Sequence, residues 1–405
     1  MYIDPGTGSM LLTLLLGAAG TLSYTVRSFL MRTKTAKSGG AIALERKDYV
    51  FFSDSKRYWN VFEPICEAFE EKKIEAQYLS MSRDDPAFEK NYKYVSCQYI
   101  GDGNMAFAKL NSLSADIVIS TTPGLDVYQW KRSKNVKRYV HVLHAPSDVT
   151  AYRMFGIDFY DSILLSGEYQ VDQIRKLEKL RNLPPKETVI VGIPYMDERL
   201  KRLEKQKEGR REKTILVAPS WGDNSLLNRY GEKIIDGLLD TGYRIIIRPH
   251  PQSFISEKKM IERLMKKYPS NEHLEWNKDN DNFAVLNKSD IMISDFSGVI
   301  FDFALIFDKP VIYADTSFDP APLDCCWLDE DLWTFQILPR IGYQMREADC
   351  GNMKEVIDRC AADPKLSEGR EQARRDTWMF RGEGTERTLN YLLDLHGRIM
   401  KEKEA

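Results

Sequence analysis

A repeated alternation of short apolar segments with helical segments constrains the fold of this chain more than any other feature. KDYVFFSD, EAQYLSM, YVSCQYIG and ADIVIST are typical of strands, as are VKRYVHVLH, DSILLSG and TVIVGIP further along. RYWNVFEPICEAFEEKK carries helical spacing through Trp59, Phe62, Ile65 and Phe69. Such alternation predicts a parallel sheet covered by helices on both faces.

The same rhythm restarts after the charged stretch DERLKRLEKQKEGRREK, residues 197–213. TILVAPS, YRIIIRPH, DIMISD and KPVIYAD are strand candidates, and GEKIIDGLLDTG, SEKKMIERLMKKY and SGVIFDFALIF are helix candidates. From about Asn352 the sequence is largely helical in pattern. The chain has 405 residues, too many for one ordinary core. We therefore predict an α/β protein with two Rossmann-like, doubly wound domains, residues 36–196 and 197–405.

The N-terminal 35 residues differ from the rest in lacking charge over a long run. No charged residue occurs from Pro5 through Val26, and the basic residues Arg27 and Arg32 follow the apolar run. A membrane helix needs about 20 mostly apolar residues, and basic flanks stay in the cytoplasm. This pattern predicts a single membrane anchor helix, residues 1–35, with a cytoplasmic body. The alternative is an interfacial or buried helix, because Gly17 and Gly20 dilute the run.

Composition and motifs exclude several classes of function. The net charge of −2 gives no basic field for nucleic acid, so no nucleic-acid partner is expected. The six cysteines form no CxxC pair, which favours a reduced, cytosolic body. No GxxxxGK[ST], GxGxxG, HExxH or GxSxG motif occurs. We expect no metal site and no cofactor.

Polar residues follow four predicted strands, at the edge where doubly wound sheets bind ligands. Each residue alone also fits a structural role, such as a hydrogen-bonded histidine, a surface ion pair or a helix cap. Their recurrence in both halves favours a shared cleft. The residues are His144 in VLHAPSD, Pro219 and Ser220 in ILVAPSW, Arg248 and His250 in IIIRPHP, and Ser294, Asp295, Ser297 and Gly298 in IMISDFSG.

The SDFSG stretch carries the clearest chemistry. A helix start leaves backbone N–H groups unpaired and carries partial positive charge. Gly298 permits close approach of a ligand, and Ser297 adds a hydroxyl donor. Ser294 to Gly298 therefore fits both a helix cap and a phosphate cradle. Asp302, one turn later, fits either a ligand contact or a buried carboxylate that caps a neighbouring loop.

Taken in order, the motifs resemble the CDP-glycerol glycerophosphotransferase family, from roughly Val140 to Leu392. The segments are VLHAPSD, ILLSGEYQ, VGIPYMDERL, ILVAPSWGDN, IIIRPHP, SDFSGVIFDFALIFDKPVIY and FRGEGTERTLNYL. These enzymes are teichoic-acid-type primases and polymerases with a GT-B fold. The resemblance implies transfer of glycerol phosphate, or a related polyol phosphate, from a CDP-linked donor to a lipid-linked acceptor.

The resemblance also implies roles for individual residues. His144 matches the proposed general base, and His250 matches a second essential histidine near the donor phosphates. Arg248, Ser297, Gly298 and Asp302 fall where the family binds the CDP part of the donor. Pro219 and Ser220 lie in a segment that lines the donor site.

Two departures from the family pattern touch this region. The chain reads HAPSDV where the family usually reads HGTPLK, and Tyr195 replaces the arginine that follows GxP. Two alternatives stay open: a GT-B glycosyltransferase or epimerase that uses a UDP-sugar, and a catalytically inactive, membrane-tethered homologue. The polyol, the acceptor and the oligomeric state are not predicted.

Overall fold

Two parallel β-sheets form the framework of the computed structural model, which describes residues 46–206, 212–279 and 281–404. The first sheet has seven strands in the order β3-β2-β1-β4-β5-β6-β7. They are β1 Lys47–Ser53, β2 Ala76–Ser80, β3 Val95–Tyr99, β4 Ala115–Ser120, β5 Val136–Val142, β6 Ser162–Leu165 and β7 Glu187–Ile190.

The second sheet has six strands in the order β10-β9-β8-β11-β12-β13. They are β8 Thr214–Val217, β9 Arg244–Ile247, β10 Leu274–Trp276, β11 Ile291–Ser294, β12 Val311–Ala314 and β13 Gly342–Met345. All pairings in both sheets are parallel, so two doubly wound sheets are confirmed.

α-Helices connect most consecutive strands, as is usual for parallel pairing, whereas β2 to β3, β4 to β5 and β5 to β6 are joined without one. The α-helices are α1 Trp59–Glu71, α2 Gly103–Leu110, α3 Glu168–Arg181, α4 Pro194–Glu204, α5 Leu226–Arg229, α6 Gly231–Leu239, α7 Ser253–Ser256, α8 Lys258–Lys267, α9 Phe283–Lys288, α10 Val299–Phe301, α11 Trp333–Ile341, α12 Met353–Ala362, α13 Lys365–Thr377 and α14 Gly384–Glu404. Short 3₁₀ turns occur at Lys56–Tyr58, Pro86–Glu89, Val149–Ala151, Asp324–Trp327 and Glu347–Asn352, and a π-helical turn at Asp302–Ile306.

Strand composition explains why the sheets are buried on both faces. β8, β9, β11 and β12 read TILV, RIII, IMIS and VIYA, and nearly every residue in them is buried. Continuous apolar runs of this kind suit strands covered on both sides. One apolar core runs from the first sheet to one face of the second, and another fills the opposite face of the second sheet.

Each sheet has a point where the strand order reverses, between β1 and β4 in the first and between β8 and β11 in the second. Ligands of open α/β sheets bind in the crevice outside the carboxyl ends of the strands at such points. The loops after β1, β8 and β11 are therefore the expected walls of a site.

The last helix returns to the first half of the chain. α14 falls within the predicted domain 197–405, yet it lies against the first sheet. Tyr391 and Arg398 bond Glu187 at the start of β7, and Lys403 bonds Asp116 in β4 at 2.9 Å. The apolar face of α14 carries Leu392, Leu395 and Ile399, which fill a gap in the core of the first half.

The predicted anchor, residues 1–35, lies outside the described residues. Within residues 46–206, 212–279 and 281–404, no helix combines the length and apolar character needed to cross a membrane. The anchor stays a prediction.

Candidate active site

A cavity of about 940 Å³ lies between the two sheets, where the loops after their strands converge. Loops of both halves contribute to its wall, as the strand order predicts. Seven of the ten predicted site residues line it: His144, Pro219, Arg248, His250, Ser297, Gly298 and Asp302.

The other three predicted residues are buried and do not line this cavity. Ser294 donates from its hydroxyl to the carbonyl of Ala218 at 2.6 Å. Asp295 accepts the backbone N–H groups of Ser220 at 2.9 Å and Leu226 at 2.9 Å. These contacts fix the loop after β11 to the loop after β8, so the three residues hold the cavity wall in shape.

His144 follows β5 and is held through one ring nitrogen. Its Nδ1 lies 3.0 Å from Thr121 Oγ1 and 3.2 Å from the hydroxyl of Tyr152. Its Nε2 has no hydrogen-bond partner among the described residues. Burial lowers the pKa of His144 to about 4, and the nearby Arg57 contributes to the change while Thr121 opposes it. At neutral pH the ring is therefore uncharged, and Nε2 can accept a proton in the tautomer whose Nδ1–H donates to the hydroxyl of Thr121 or Tyr152.

His250 and Arg248 follow β9 and face the same cavity. His250 Nδ1 accepts the backbone N–H of Gln252 at 3.1 Å, so the proton of the neutral ring lies on Nε2. Burial lowers the pKa of His250 to about 4, with Arg57 the next largest cause. The Arg248 guanidinium donates to the side-chain oxygen of Asn277 and to the carbonyl of Asp279. Both acceptors are neutral, and the carboxylates of Asp279 and Asp281 act on the Arg248 charge only from beyond ion-pair distance.

The Ser297-Gly298 turn brings the second half against the first. A Cβ at Gly298 would lie 3.9 Å from the Cβ of Ala145, which follows His144. Gly298 has φ −59°, an ordinary helical value, so the absence of a side chain matters here for space. The N–H groups of Gly298 and Val299 have no acceptor in the described part of the chain. The turn thus offers two backbone donors beside His144.

Asp302 lines the cavity but already has partners from α4. Its carboxylate accepts the Tyr195 hydroxyl at 2.9 Å and pairs with Arg199 at 3.0 Å. Burial raises the pKa of Asp302, while Arg199 and Tyr195 oppose the rise. The Asp302 carboxylate therefore positions Arg199 in the cavity wall.

The cationic side chains of the wall divide into paired and unpaired groups. Four of the six have carboxylate partners within 4.0 Å: Lys56 with Asp84, Lys90 with Glu63 and Glu67, Arg199 with Asp302, and Arg202 with Asp281. The remaining two, Arg57 and Arg248, have no carboxylate within that distance in the described residues. Arg57 Nε instead donates to Ser55 Oγ at 3.2 Å. One unpaired guanidinium from each half makes the site suited to a polyanion.

Sequence reasoning missed Arg57, Arg199 and Arg202. Arg57 follows β1 in SDSKRYW and so obeys the same strand-end rule as the predicted residues. The RYWNVF pattern is also explained by the start of a helix, so it did not indicate a role for Arg57 in the site. Arg199 lies four residues after Tyr195 on α4, a spacing that places both on one helix face.

A possible metal cluster lies elsewhere. Among the described residues, ligand atoms of Asp48, Asp116 and His396 lie within 4.8 Å of one another. Asp116 already pairs with Arg46 and Lys403, both at 2.9 Å. These residues form an ion-pair network that fastens α14 to the first sheet.

The sequence profile of the CDP-glycerol:poly(glycerophosphate) glycerophosphotransferase family matches residues 42–320. The chain belongs to this family. The matched region contains every strand-end loop that lines the cavity. Family membership therefore agrees with the ordered motifs that the sequence carries.

One curated relative and two solved structures illustrate the similarity. The minor teichoic acid biosynthesis protein GgaB of Bacillus subtilis (strain 168) is 28% identical over 159 residues, which are 38% of this chain and 15% of that protein. The UDP-GlcNAc 2-epimerase of Methanocaldococcus jannaschii, solved with UDP-GlcNAc and UDP, superposes with a TM-score of 0.56 at 14% identity, over 86% of this chain and 100% of that chain. The S. aureus MnaA–UDP structure superposes with a TM-score of 0.54 at 15% identity, over 87% of this chain and 98% of that chain. At this identity the structural similarity shows the fold alone, a two-sheet arrangement of GT-B type.

Asp148, in the HAPSDV segment that differs from the usual glycerophosphotransferase pattern, has a structural role. The Asp148 carboxylate accepts the backbone N–H groups of Trp333 at 2.8 Å and Thr334 at 2.9 Å. It also accepts the Thr334 hydroxyl and the Gln173 side-chain amide. Asp148 thus caps the start of α11 from outside that helix and joins the loop after β5 to the second half.

Proposed function

We propose that the protein transfers glycerol phosphate, or a related polyol phosphate, from a CDP-linked donor to a hydroxyl of a membrane-linked acceptor and releases CMP. The observation that carries the proposal is that Arg57 and Arg248, which have no carboxylate within 4.0 Å among the described residues, line one cavity together with two neutral histidines. Membership of the glycerophosphotransferase family supports the CDP-linked donor.

The donor diphosphate occupies the cationic part of the cavity. Arg57 and Arg248 supply charge-assisted hydrogen bonds, which are about twice as strong as neutral ones. The backbone N–H groups of Gly298 and Val299 and the Nε2–H of His250 supply further donors. The cavity volume of about 940 Å³ is ample for a nucleotide-linked donor.

The reaction forms one phosphorus–oxygen bond and breaks another. The acceptor hydroxyl oxygen attacks the phosphorus that bears the polyol, and His144 Nε2 takes the hydroxyl proton. The bond from that phosphorus to the bridging oxygen breaks, and this oxygen leaves with the electron pair as part of CMP. The negative charge that grows on the phosphoryl oxygens is stabilised by Arg57, Arg248 and His250.

The membrane anchor belongs to the same proposal. An anchor at residues 1–35 would confine the catalytic body to the cytoplasmic surface, where a lipid-linked acceptor is held. The acceptor and the enzyme would then meet by diffusion in two dimensions.

CMP release is the direct test. The purified protein is incubated with CDP-glycerol and a lipid-linked acceptor, and CMP is followed. We expect release that depends on the acceptor; no release with any CDP-polyol would overturn the proposal. Thermal unfolding with CDP, UDP and GDP compounds separates the alternatives, because a ligand that binds the folded state raises its stability. Stabilisation by UDP compounds alone would favour a UDP-sugar enzyme.

A further inference from the structure

A second, smaller cavity also borders His144. It has a volume of about 300 Å³ and shares His144, Ala145 and Gly298 with the 940 Å³ cavity lined by Arg57 and Arg248, which we call the cationic cavity. We call it the aromatic cavity. Because His144 belongs to both walls, a group in the aromatic cavity can reach the same imidazole as a donor in the cationic cavity.

Three partly buried phenylalanines form one wall of the aromatic cavity. The ring centroids of Phe296 and Phe318 are 5.5 Å apart, and those of Phe318 and Phe335 are 5.1 Å apart. Leu143, Ala151 and Leu332 add aliphatic surface. Aromatic faces of this kind favour ligands that present C–H surface, such as the face of a sugar ring.

The aromatic cavity carries no positive charge. No Lys or Arg occurs among its lining residues, and Asp148 is its single carboxylate. Asp148 already accepts four hydrogen bonds, from Trp333 N, Thr334 N, Thr334 Oγ1 and Gln173 Nε2. An anion entering this space would lose water, gain no cationic partner and meet a negative group. The cavity therefore selects against charged ligands.

We propose that the aromatic cavity binds the acceptor, and that this acceptor is an uncharged, hydroxyl-bearing glycoside and not the phosphate-bearing end of a polyanionic chain. The inference rests on the proposed transferase function. The acceptor hydroxyl then approaches His144 from the aromatic side while the donor phosphates approach from the cationic side. The enzyme should therefore add a first polyol phosphate unit to a neutral sugar in preference to extending an existing polyol phosphate chain.

Two acceptors of equal tail length test this selectivity. The full chain is assayed for CMP release from CDP-glycerol with octyl β-glucoside and with octyl β-glucoside 6-phosphate. We expect kcat/KM at least about tenfold higher for the uncharged compound. Equal or better use of the phosphorylated compound would overturn the inference.

Variants locate the effect in the cavity. Phe335→Ala should raise the KM for octyl β-glucoside about tenfold and leave the KM for CDP-glycerol unchanged. Phe335→Lys should shift the preference toward the phosphorylated acceptor. Phe159→Ala is the matched control, since Phe159 is an exposed aromatic outside both cavities. An unchanged acceptor KM in Phe335→Ala, with normal thermal unfolding, would contradict the assignment.

A binding measurement keeps the two proposals separable. Saturation-transfer NMR of octyl β-glucoside in the presence of CDP should give a signal in the wild type and in Phe159→Ala, and lose it in Phe335→Ala. If the glucoside binds but no CDP-polyol gives CMP release, the transferase proposal is wrong, while the assignment of the aromatic cavity as a glycoside site stands. If CMP is released but the glucoside gives equal signals in the wild type and in Phe335→Ala, only the assignment of the aromatic cavity is wrong.

Discussion

The hydroxyl of Tyr195 donates a 2.9 Å hydrogen bond to Asp302, which joins α4 to the turn that follows the SDFSG loop. The same carboxylate pairs with Arg199 one helical turn later. Tyr195 stands where the family usually has arginine, and Arg199 brings a guanidinium to the cavity wall from the next turn. Arg199 therefore supplies the cation that α4 brings to Asp302 in this chain.

Removing Arg199 should destabilise the fold, because it leaves Asp302 as a buried, uncompensated charge. Only about an eighth of each side chain is exposed: 12% for Arg199 and 13% for Asp302. We expect Arg199→Met to lower the free energy of unfolding by about 3 kcal/mol in urea titrations. Arg202→Met is the control, because the Arg202–Asp281 pair is half exposed and should cost under about 1 kcal/mol. Equal losses in both variants would contradict a buried link.

Arg57→Ala should weaken donor binding without destabilising the exposed turn that carries it. Loss of charge-assisted hydrogen bonds to a diphosphate should raise the Kd for CDP-glycerol about tenfold to a hundredfold. The salt dependence of binding should also decrease. Lys56→Ala is the neighbouring control, since Lys56 already pairs with Asp84. An unchanged Kd in Arg57→Ala, measured by calorimetry, would remove Arg57 from the site.

His144→Ala should lower kcat by about 10²- to 10⁴-fold, the usual contribution of a general base. Because the pKa of His144 in the free protein is about 4, kcat/KM should be flat from pH 6 to 8 and fall as the pH drops toward about 4. The two negative charges of the bound donor favour the protonated imidazole, so the pKa of His144 should be higher in the complex than in the free protein. Because kcat reports the complex, kcat should fall at a higher pH than kcat/KM. Wild-type rates in His144→Ala would exclude this base.

Stability should decrease as the pH drops from 6.5 to about 4. Burial lowers the pKa of His144 and His250 to about 4 and that of His141 to about 3, from an ordinary 6.5. Between these values the unfolded chain binds more protons than the folded chain, so acid favours unfolding. Urea titrations at pH 7.5 and 5 should show the loss, and His250→Gln should reduce it.

Deleting residues 1–35 should move the protein from the membrane fraction to the soluble fraction. The uncharged run from Pro5 through Val26 is long enough to span a bilayer, and the remaining residues should retain binding of CDP-glycerol. Membrane fractionation with and without detergent measures the change. A full chain that is soluble without detergent would contradict the anchor.

The strands of both sheets were predictable because their apolar runs are continuous and end at polar or proline residues. TILV and RIII cannot be stable on a surface, so their burial followed from composition. β10, with the sequence LEW, and β13, with GYQM, were not predicted because they are short and mixed in polarity. The position of α14 depends on contacts with Glu187 and Asp116, which are more than 200 residues away along the chain.

The candidate site was predictable where strand ends converge and not where side chains form pairs. His144, His250 and Arg248 follow strands, so topology alone places each of them at the carboxyl edge of its own sheet. Asp295 and Asp302 have the same residue type and lie on the same segment, yet one fixes two loops and the other holds Arg199. Arg57 has no carboxylate within 4.0 Å in the described part of the chain, and spacing along the sequence does not reveal this.

The return of α14 to the first sheet has a consequence for the order of folding during translation. Leu392, Leu395 and Ile399 belong to the core of the half that leaves the ribosome first, yet they are synthesised after the entire second half. Domains often fold one by one as the nascent chain emerges. In this chain the first half stays incomplete, with apolar surface uncovered near β4 and α1, until α14 has been synthesised.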